Sequence, residues 1–263
     1  MPRLNWGAAG ARFFEVGVDR GVLFVPGQDG VAWSGLISVA EKSSGGDPDA
    51  YYVDGVKFQN IPAPEEFEAT INAFTYPDLF AVCDGTTRVR PGLFINQQPR
   101  QSFSLSYRTR IGNDLDGVDH AYKIHIVYNA LAAPSDRDNK SLGDSSDPSD
   151  FTWDITTLPP AVSGYRRSGH IVVDSRYAGP NVMSALEDVI YGTDTNPAAL
   201  PTLADLVTIF DTNATLTITD NGDGTFTAEG PNDVVVMLDS THYSITADSV
   251  IDNGDDTFTL SSE

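Results

Sequence analysis

The sequence predicts a mainly β protein, and three observations support that prediction. Short runs with apolar residues at every second position recur along the chain, as in strands that bury one face of a sheet. Turn residues separate these runs, with 23 glycines and 16 prolines among 263 residues. Only two segments have the three-to-four-residue apolar spacing of a helix.

The first candidate strands lie in the N-terminal third of the chain. "RGVLFVPGQDGVAW" (20–33) predicts a strand, a turn and a strand, and "YYVDGVKF" (51–58) a hairpin that turns at Asp54-Gly55. "EEFEATINAF" (65–74) alternates strictly. Its apolar face is Phe67, Ala69, Ile71 and Ala73, and its polar face is Glu66, Glu68, Thr70 and Asn72.

Four later runs extend the pattern. "SFSLSYRTR" (102–110) sets Phe103, Leu105 and Tyr107 against serines. "AYKIHIVYNA" (121–130) places Lys123 and His125 on a polar face, opposite two isoleucines. "FTWDITTL" (151–158) aligns Phe151, Trp153 and Ile155, and "GHIVVDSR" (169–176) is a further candidate strand.

Two helices are predicted near the end of this region. "GPNVMSALEDVIYG" predicts a helix over 181–191, with Asn181 as N-cap and Gly192 as its stop. "PTLADLVTIF" (201–210) predicts a shorter helix capped by Thr202. Polar loops are expected at 41–50 and 133–150, and loops of that length are usually functional, mobile or folded only on a partner.

The C-terminal 50 residues predict a separate small β domain. "ITDNGDGTFTA" and "VIDNGDDTFTL" are near-copies, and Asn-Gly between β-formers is a strong hairpin signal. "VVVML" and "YSITA" are predicted as its core strands. We therefore expect domains at 1–210 and 211–263.

The charge is strongly negative and unevenly spread. The formal net charge is −21, and residues 177–263 contain 15 Asp and Glu with no Lys or Arg. So acidic a chain should repel nucleic acid rather than bind it.

The sequence lacks the patterns of known catalytic and cofactor sites. No HExxH, GxSxG, Walker A or GxGxxG motif is present, so we expect no enzymatic activity, cofactor or metal. The EF-hand pattern fails, because with Gly224 at the glycine position the first and twelfth ligands are Thr219 and Gly230. "IGNDLDGVDH" (111–120) is favoured as a polar loop over a metal site, and Cys83 as a buried small hydrophobe.

The sequence also indicates where the chain folds. No apolar run reaches the roughly 18 residues of a membrane span, and "MPRLNWGAAG" has no apolar signal region. Folding in a cytoplasm, without membrane insertion, is expected.

Several long segments resemble one protein family. They are "LNWGAAGARFFEVGVDRGVLFVPGQDGVAWSGL", "EEFEATINAF", "QQPRQSFSLSYRTRIGNDLDGVDHAYKIHIVYNALAAPS" and "ALEDVIYGTD". Together they resemble the major tail protein, or tail tube protein, of long-tailed bacteriophages that infect actinobacteria. The resemblance covers roughly residues 1–195, and the acidic C-terminal unit resembles small domains appended to some of these proteins.

The resemblance implies a structural virion protein. Such proteins form a β-sandwich or barrel with a flanking helix, and homohexameric rings of them stack into a hollow tube. The implied partners are other copies of the chain, the tape measure protein, the tail terminator and the distal tail protein. Double-stranded DNA passes through without specific binding. The implied location is the virion tail, assembled in the host bacterial cytoplasm.

Three sets of residues follow as site hypotheses. Glu66, Glu68, Thr70 and Asn72 are expected to face the lumen, with ring contacts or the outer surface as alternatives. Contacts between subunits are expected from the two loops, and docking from an N-terminal segment too apolar to be a free tail. The loop residues are Ser43, Ser44, Gly45, Gly46, Asp47, Asp136, Arg137, Asp138 and Lys140, and the docking residues are Trp6, Phe13 and Phe14.

A rival hypothesis is a surface-displayed, adhesin-like β module whose Asp-rich hairpins bind calcium or glycan. The missing signal region and the two polar loops count against it. A calcium-dependent melting temperature would favour it, because a ligand that binds only the folded state stabilises that state.

Overall fold

The fold is seen in a computed structural model of the chain. It describes residues 6–46, 48–62, 65–135, 137, 139, 150–161 and 164–213, and the strand segments 217–220, 226–229, 235–237, 243–245, 249–252 and 258–261. Contacts divide the chain into two units, one of Met1–Asp174 with Ile190–Leu200 and one of Ser175–Val189 with Pro201–Glu263.

The first unit is built from strands and one 3-10 helix, Asp78–Val82. In its described residues the strands are β1 Phe14–Phe24, β2 Val31–Trp33, β3 Leu36–Gly45, β4 Pro48–Val53, β5 Val56–Pro62, β6 Glu65–Ala73, β7 Thr87–Arg90, β8 Leu93–Ile95, β9 Phe103–Asn113, β10 Gly117–Ala132, β11 Phe151–Thr157 and β12 His170–Asp174.

Eight of these strands form one antiparallel sheet. Its order is β2-β1-β9-β10-β11-β6-β3, and β12 also pairs with β10. The pairs β4–β5 and β7–β8 are separate two-stranded hairpins. The prediction of a mainly β protein with hairpins and few helices is therefore confirmed.

Strand β10 has two successive partners along one edge. It pairs with β12 at 123–127 and with β11 at 130–132. Between these ladders Asn129 is left-handed, with φ of 48°, in a register shift against β9. The Asn129 amide donates to Ser104 Oγ at 3.1 Å, so the bulge keeps its backbone donor satisfied.

The core of this unit is aromatic at its centre. Trp33, Phe80 and Trp153 are buried and in mutual ring contact, with centroids 4.7–5.8 Å apart. The predicted apolar faces supply most of the remainder, which confirms their alternation; these residues are Ala69, Ile71, Ala73, Phe103, Leu105, Tyr107 and Ile155. Cys83 is buried as predicted, and burial raises the pKa of its thiol to about 12.

The centres of β9 and β10 are covered on both faces. Ser104, Ser106 and His125 lie on the polar faces that alternation predicts for these strands, and all three are buried. Alternation assigns side chains to two faces of a strand and does not state what covers each face. Strands at the middle of a sheet can be covered on both.

Turn chemistry predicted one hairpin correctly, and a second turn-rich segment is partly strand. Asp54 and Gly55 have φ of 52° and 78°, so both central residues of the β4–β5 turn are left-handed. The expected loop at 41–50 instead continues β3 to Gly45, opposite Glu65 on β6. Its polar side chains do not prevent pairing, because a ladder uses backbone groups.

The helices are α1 Ser175–Ala178, α2 Pro180–Tyr191 and α3 Leu203–Asn213. α2 begins one residue before its predicted start, because proline suits the first helical position; Asn181 therefore lies inside the helix and is not its N-cap. Gly192 follows with φ of 77°, as expected of a stop. Thr202 caps α3, since its Oγ1 accepts from the Asp205 amide at 3.2 Å.

The C-terminal strands pair as three hairpins. The pairs are β13 Thr217–Asp220 with β14 Phe226–Glu229, β15 Val235–Met237 with β16 Tyr243–Ile245, and β17 Ser249–Asp252 with β18 Phe258–Ser261. The two predicted Asn-Gly hairpins are thus present as strand pairs, and their turns lie outside the described residues. The domain boundary at 210–211 falls within α3 and stays a prediction.

Candidate functional site: a polar sheet face and exposed apolar hairpins

The predicted lumen residues lie on a continuous polar face of β3, β6 and β11. Directly paired residues share a face of a sheet, so the cross-strand register defines the rows. From one end they are Ser38–Asn72–Thr152, Ala40–Thr70–Asp154, Lys42–Glu68–Thr156 and Ser44–Glu66. We call this set of residues the polar face; the opposite face of β6 packs in the core.

Side-chain hydrogen bonds link neighbouring strands within two rows of the polar face. Asn72 Nδ2 donates to Ser38 Oγ at 3.0 Å, and Thr152 Oγ1 donates to Asn72 Oδ1 at 2.7 Å. The Thr70 hydroxyl donates to Asp154, and this bond holds the pKa of that carboxyl below its ordinary value. The first two rows of the face are therefore held by side-chain hydrogen bonds.

The charge of the polar face is acidic but not purely so. It holds three carboxylates, Glu66, Glu68 and Asp154, and one ammonium, Lys42. Lys42 lies opposite Glu68 and forms an ion pair with Asp154, Nζ to Oδ1 3.4 Å. An anionic polymer would meet a net repulsive surface here.

Two hairpins of the first unit each carry several exposed apolar side chains. On β4–β5, five residues each expose more than half of their surface: Tyr51, Tyr52, Val53, Val56 and Phe58. On β7–β8, Leu93, Phe94 and Ile95 expose about half. We call β4–β5 and β7–β8 the apolar hairpins.

The N-terminal residues predicted to dock are open to solvent within one protomer. Trp6 is 81% exposed, and Phe13 and Phe14 are also exposed. The Phe13 ring lies 5.4 Å from that of His120, and Phe14 begins β1. Docking of this segment on another protein stays a prediction.

The predicted loop contacts fall into three groups. Ser43, Ser44 and Gly45 belong to β3, and Gly46 follows it. Asp47, Asp136, Asp138 and Lys140 lie outside the described residues. Arg137 forms an ion pair with Asp84 and lies over the rings of Tyr76 and Phe151, at 5.5 and 5.4 Å from their centroids.

The stretch 111–120, favoured as a polar loop, is the end of β9, a hydrogen-bonded polar turn at 114–116 and the start of β10. Asn113 Oδ1 accepts from the Leu115 amide at 3.0 Å. His120 Nδ1 and Asp116 Oδ2 are 2.8 Å apart, and Asp119 forms an ion pair with Arg110. These internal partners account for its concentration of aspartates.

A partly buried polar cluster was not foreseen as a site. Glu41 lies opposite Ala69 in the ladder, so it points to the core side of β3. There Tyr107 Oη donates to Glu41 Oε1 at 2.7 Å, and His125 Nδ1 lies 3.2 Å from the same oxygen. His125 Nδ1 is also 3.1 Å from His170 Nε2. We call Glu41, Tyr107, His125 and His170 the histidine cluster.

The surroundings of the histidine cluster fix its charge states. The hydrogen bond from His125, with that of Tyr107, lowers the pKa of Glu41 to about 2. Burial lowers the pKa of His170 to about 4, although Glu41 opposes the shift, and burial raises the pKa of Tyr107. At neutral pH Glu41 is a carboxylate and His170 a neutral imidazole.

The members of the histidine cluster lie too far apart in sequence to form a local motif.

Comparisons with known proteins give similarities of backbone only. No family model matches the chain, and no curated protein matches it. A chain of the sixfold-symmetrised anti-feeding prophage baseplate is similar over 65% of this chain and 97% of its own, with 10% identity and a TM-score of 0.33.

Two similar chains come from the extracellular contractile injection system PVC in its extended state. One, from the sheath–tube complex, covers 59% of this chain and 88% of its own, with 15% identity and a TM-score of 0.30. The other, from the sheath/tube terminator, covers 65% and 99%, with 15% identity and a TM-score of 0.28. In the described part of the chain, no helix has both the length and the apolar character to cross a membrane.

Proposed function

We propose that the chain is a structural subunit of a bacteriophage tail tube, assembling with its own copies into stacked hexameric rings around a lumen that conducts DNA. The observation that carries the proposal is the pair of apolar hairpins. The proposal also takes support from the resemblance of residues 1–195 to tail tube proteins.

The apolar hairpins are unsuited to an isolated protomer. A lone two-stranded hairpin is at best marginally stable in water, and contiguous exposed apolar surface marks an interaction site. β4–β5 has both properties, since its strands pair only with each other among the described residues. Packing on a neighbouring subunit would bury Tyr52 and Phe58 and order the hairpin.

The open ends of the large sheet support a self-association of this kind. The ladder ends at β2 on one side and at the ten-residue β3 on the other. Long edges expose unpaired backbone groups and are templates for adding strands. A closed ring in which the sheets of neighbouring subunits join would satisfy them.

In such a ring the polar face would line the bore. Its opposite side is already occupied by the core, and its net acidity suits a wall along which DNA slides rather than binds. Glu66 and Glu68 would then repel the phosphates of the passing duplex, with counterions between, and the neutral Thr70 and Asn72 would lie on the same wall.

The remaining parts receive roles from the same proposal. The N-terminal segment, the end of β3 at Ser43, Ser44 and Gly45, and the loop at 133–150 would contact neighbouring subunits or rings. The C-terminal domain has a formal net charge of −11 from Asp211 onward. It would project outward, where water and salt screen the repulsion between its copies. The partners of the whole chain would be the tape measure protein, the tail terminator and the distal tail protein. They would meet in a virion tail assembled in the host cytoplasm.

Electron microscopy of the purified full-length chain tests the proposal. We expect stacked hollow rings with sixfold symmetry, and Phe58→Lys should prevent their formation while the protomer stays folded. Leu158→Lys is the matched control, because both side chains are 74% exposed but Leu158 lies outside the hairpins. A closed assembly without a central channel, or rings unaffected by Phe58→Lys, would contradict it.

A further inference from the structure

The histidine cluster holds three donor atoms at the spacing of a metal site. His125 Nδ1 lies 3.1 Å from His170 Nε2 and 3.2 Å from Glu41 Oε1. One donor atom from each of the three residues lies within 4.8 Å of the other two. Ligands about 2.0 Å from a tetrahedral Zn²⁺ ion are about 3.3 Å apart, so one ion fits among these atoms after small adjustments.

We propose that Glu41, His125 and His170 bind one divalent transition-metal ion, of the Zn²⁺ class, in a site that joins β3 to β10 and β12. Two imidazoles and one carboxylate form a donor set that suits Zn²⁺, Co²⁺ or Ni²⁺. Mg²⁺ and Ca²⁺ require a larger set of oxygen ligands.

Neighbouring side chains already orient the ligands as outer-shell partners do. Thr109 Oγ1 lies 3.0 Å from His125 Nε2 and can accept its proton. In that tautomer His125 no longer donates from Nδ1 to Glu41, and the Nδ1 lone pair faces the ion. The Tyr107 hydroxyl holds the Glu41 carboxylate. Such contacts set the tautomer and angle of a ligand before the ion arrives.

Packing restricts the motion of both rings. Tyr107 stacks on His125 with centroids 4.6 Å apart, and Phe67 lies 4.4 Å from His170. The two imidazoles are themselves nearly parallel, 5.3 Å apart. A site built this way loses little side-chain entropy on binding.

An entry path and a fourth position are available. The Glu41 side chain is 40% exposed, whereas those of His125 and His170 are 7% and 13% exposed. Water can therefore complete a tetrahedron from the Glu41 side.

The site would act as a cross-link. In the large sheet β3 is not a hydrogen-bonded neighbour of β10 or β12, so the ion would tie distant parts of the ladder. A ligand that binds the native state alone raises stability by mass action. This role does not depend on the proposed function, since the site lies within one protomer.

Thermal unfolding and calorimetry of the full-length chain test the proposal, after treatment with EDTA and dialysis. We expect one Zn²⁺ per chain, a melting temperature raised by about 5–10 °C at a hundredfold excess over Kd, and a tetrahedral Co²⁺ absorption band. Glu41→Gln and His170→Gln should each weaken Zn²⁺ binding by about 100-fold or more, and Thr109→Val by about 10-fold.

His120→Gln is the matched control, because His120 also lies beside a carboxylate but outside the cluster. It should bind Zn²⁺ as the unaltered chain does, and circular dichroism should show that each variant is folded. Absence of binding to the unaltered chain would overturn the proposal and leave a hydrogen-bonded cluster. Equal Zn²⁺ binding by His170→Gln and the unaltered chain would overturn it too.

Discussion

Arg108 binds Asp19 through two parallel hydrogen bonds, Nε to Oδ1 and Nη2 to Oδ2, each 2.7 Å long. The two residues lie directly opposite on β9 and β1. β1 has a register irregularity on either side of Asp19, at Val16/Val18 and at Asp19/Val22. A bidentate pair between two bulges fixes which residues of β1 face the core.

Asp19→Asn should therefore destabilise the protomer. An amide cannot accept both guanidinium bonds with full charge, and Arg110 also loses one of its two carboxylate partners, the other being Asp119. Hydrogen bonds to charged groups contribute about 1.5–3 kcal/mol each, so we expect a loss of about 2 kcal/mol in urea unfolding at pH 7. Asp29→Asn, at an exposed turn position, should leave the free energy of unfolding unchanged.

The same pair predicts a pH dependence of stability. The hydrogen bond from Arg108 lowers the pKa of Asp19 below 3.8, although burial opposes the shift. The unfolded chain thus takes up this proton at a higher pH than the native chain. The stabilisation is complete above about pH 3.8 and is lost as pH falls toward the native pKa.

Urea unfolding at a series of pH values checks this prediction. Below pH 3.8 the free energy of unfolding of the unaltered chain should fall more steeply with pH than that of Asp19→Asn. The two free energies should therefore converge in acid. Parallel curves down to pH 2.5 would mean that Asp19 titrates normally in the native state.

Local chemistry explains which parts of the fold could be predicted from the sequence. The β4–β5 turn depends on Asp54 and Gly55 alone, and the α3 cap on Thr202 and Asp205. The core side of β6 follows from alternation within nine residues. In each case the determining groups lie within one element.

The parts that sequence reasoning missed depend on distant partners. His125 was placed on a polar face, but it is buried because Glu41 and His170, 84 and 45 residues away, supply its polar contacts. Likewise β3 continues through Ser43 and Ser44 because β6 offers a matching ladder. The periodicity of a single segment cannot predict contacts between residues that are distant in sequence.

Asp84 is the acceptor for three donors from separate segments, and Asp84→Asn should be strongly destabilising. Its side chain is 7% exposed and accepts from Trp153 Nε1 at 3.1 Å and Arg100 Nη1 at 3.4 Å, besides its pair with Arg137. Removing one member of a buried pair costs about 3–5 kcal/mol, because the remaining charge is left without compensation.

Arg137→Gln is the matched test of the same network. The Arg137 side chain is 40% exposed, so water replaces its partner and the expected loss is below about 1 kcal/mol. Guanidinium denaturation of both variants measures the difference. If both variants lost the same free energy of unfolding, burial of Asp84 would not be the cause of its larger expected effect.

The polar face offers a direct test of the lumen hypothesis. Replacing Glu66 and Glu68 with lysine turns two negative charges into two positive charges beside Lys42. If these residues line the bore, assembled tubes of this double variant should hold double-stranded DNA that nuclease cannot reach. Its retention should fall steeply with added salt, because lysines bind phosphates through counterion release.

The double variant Asp29→Lys and Asp78→Lys controls for charge alone, because both aspartates are exposed and lie off the polar face. DNA bound to its tubes should remain open to nuclease, since a duplex on the outer wall is unprotected. Tubes of the unaltered chain should retain no DNA, with or without added salt. The lumen hypothesis would be contradicted if DNA bound to the control variant were protected from nuclease. It would also be contradicted if DNA bound to Glu66→Lys/Glu68→Lys tubes were digested.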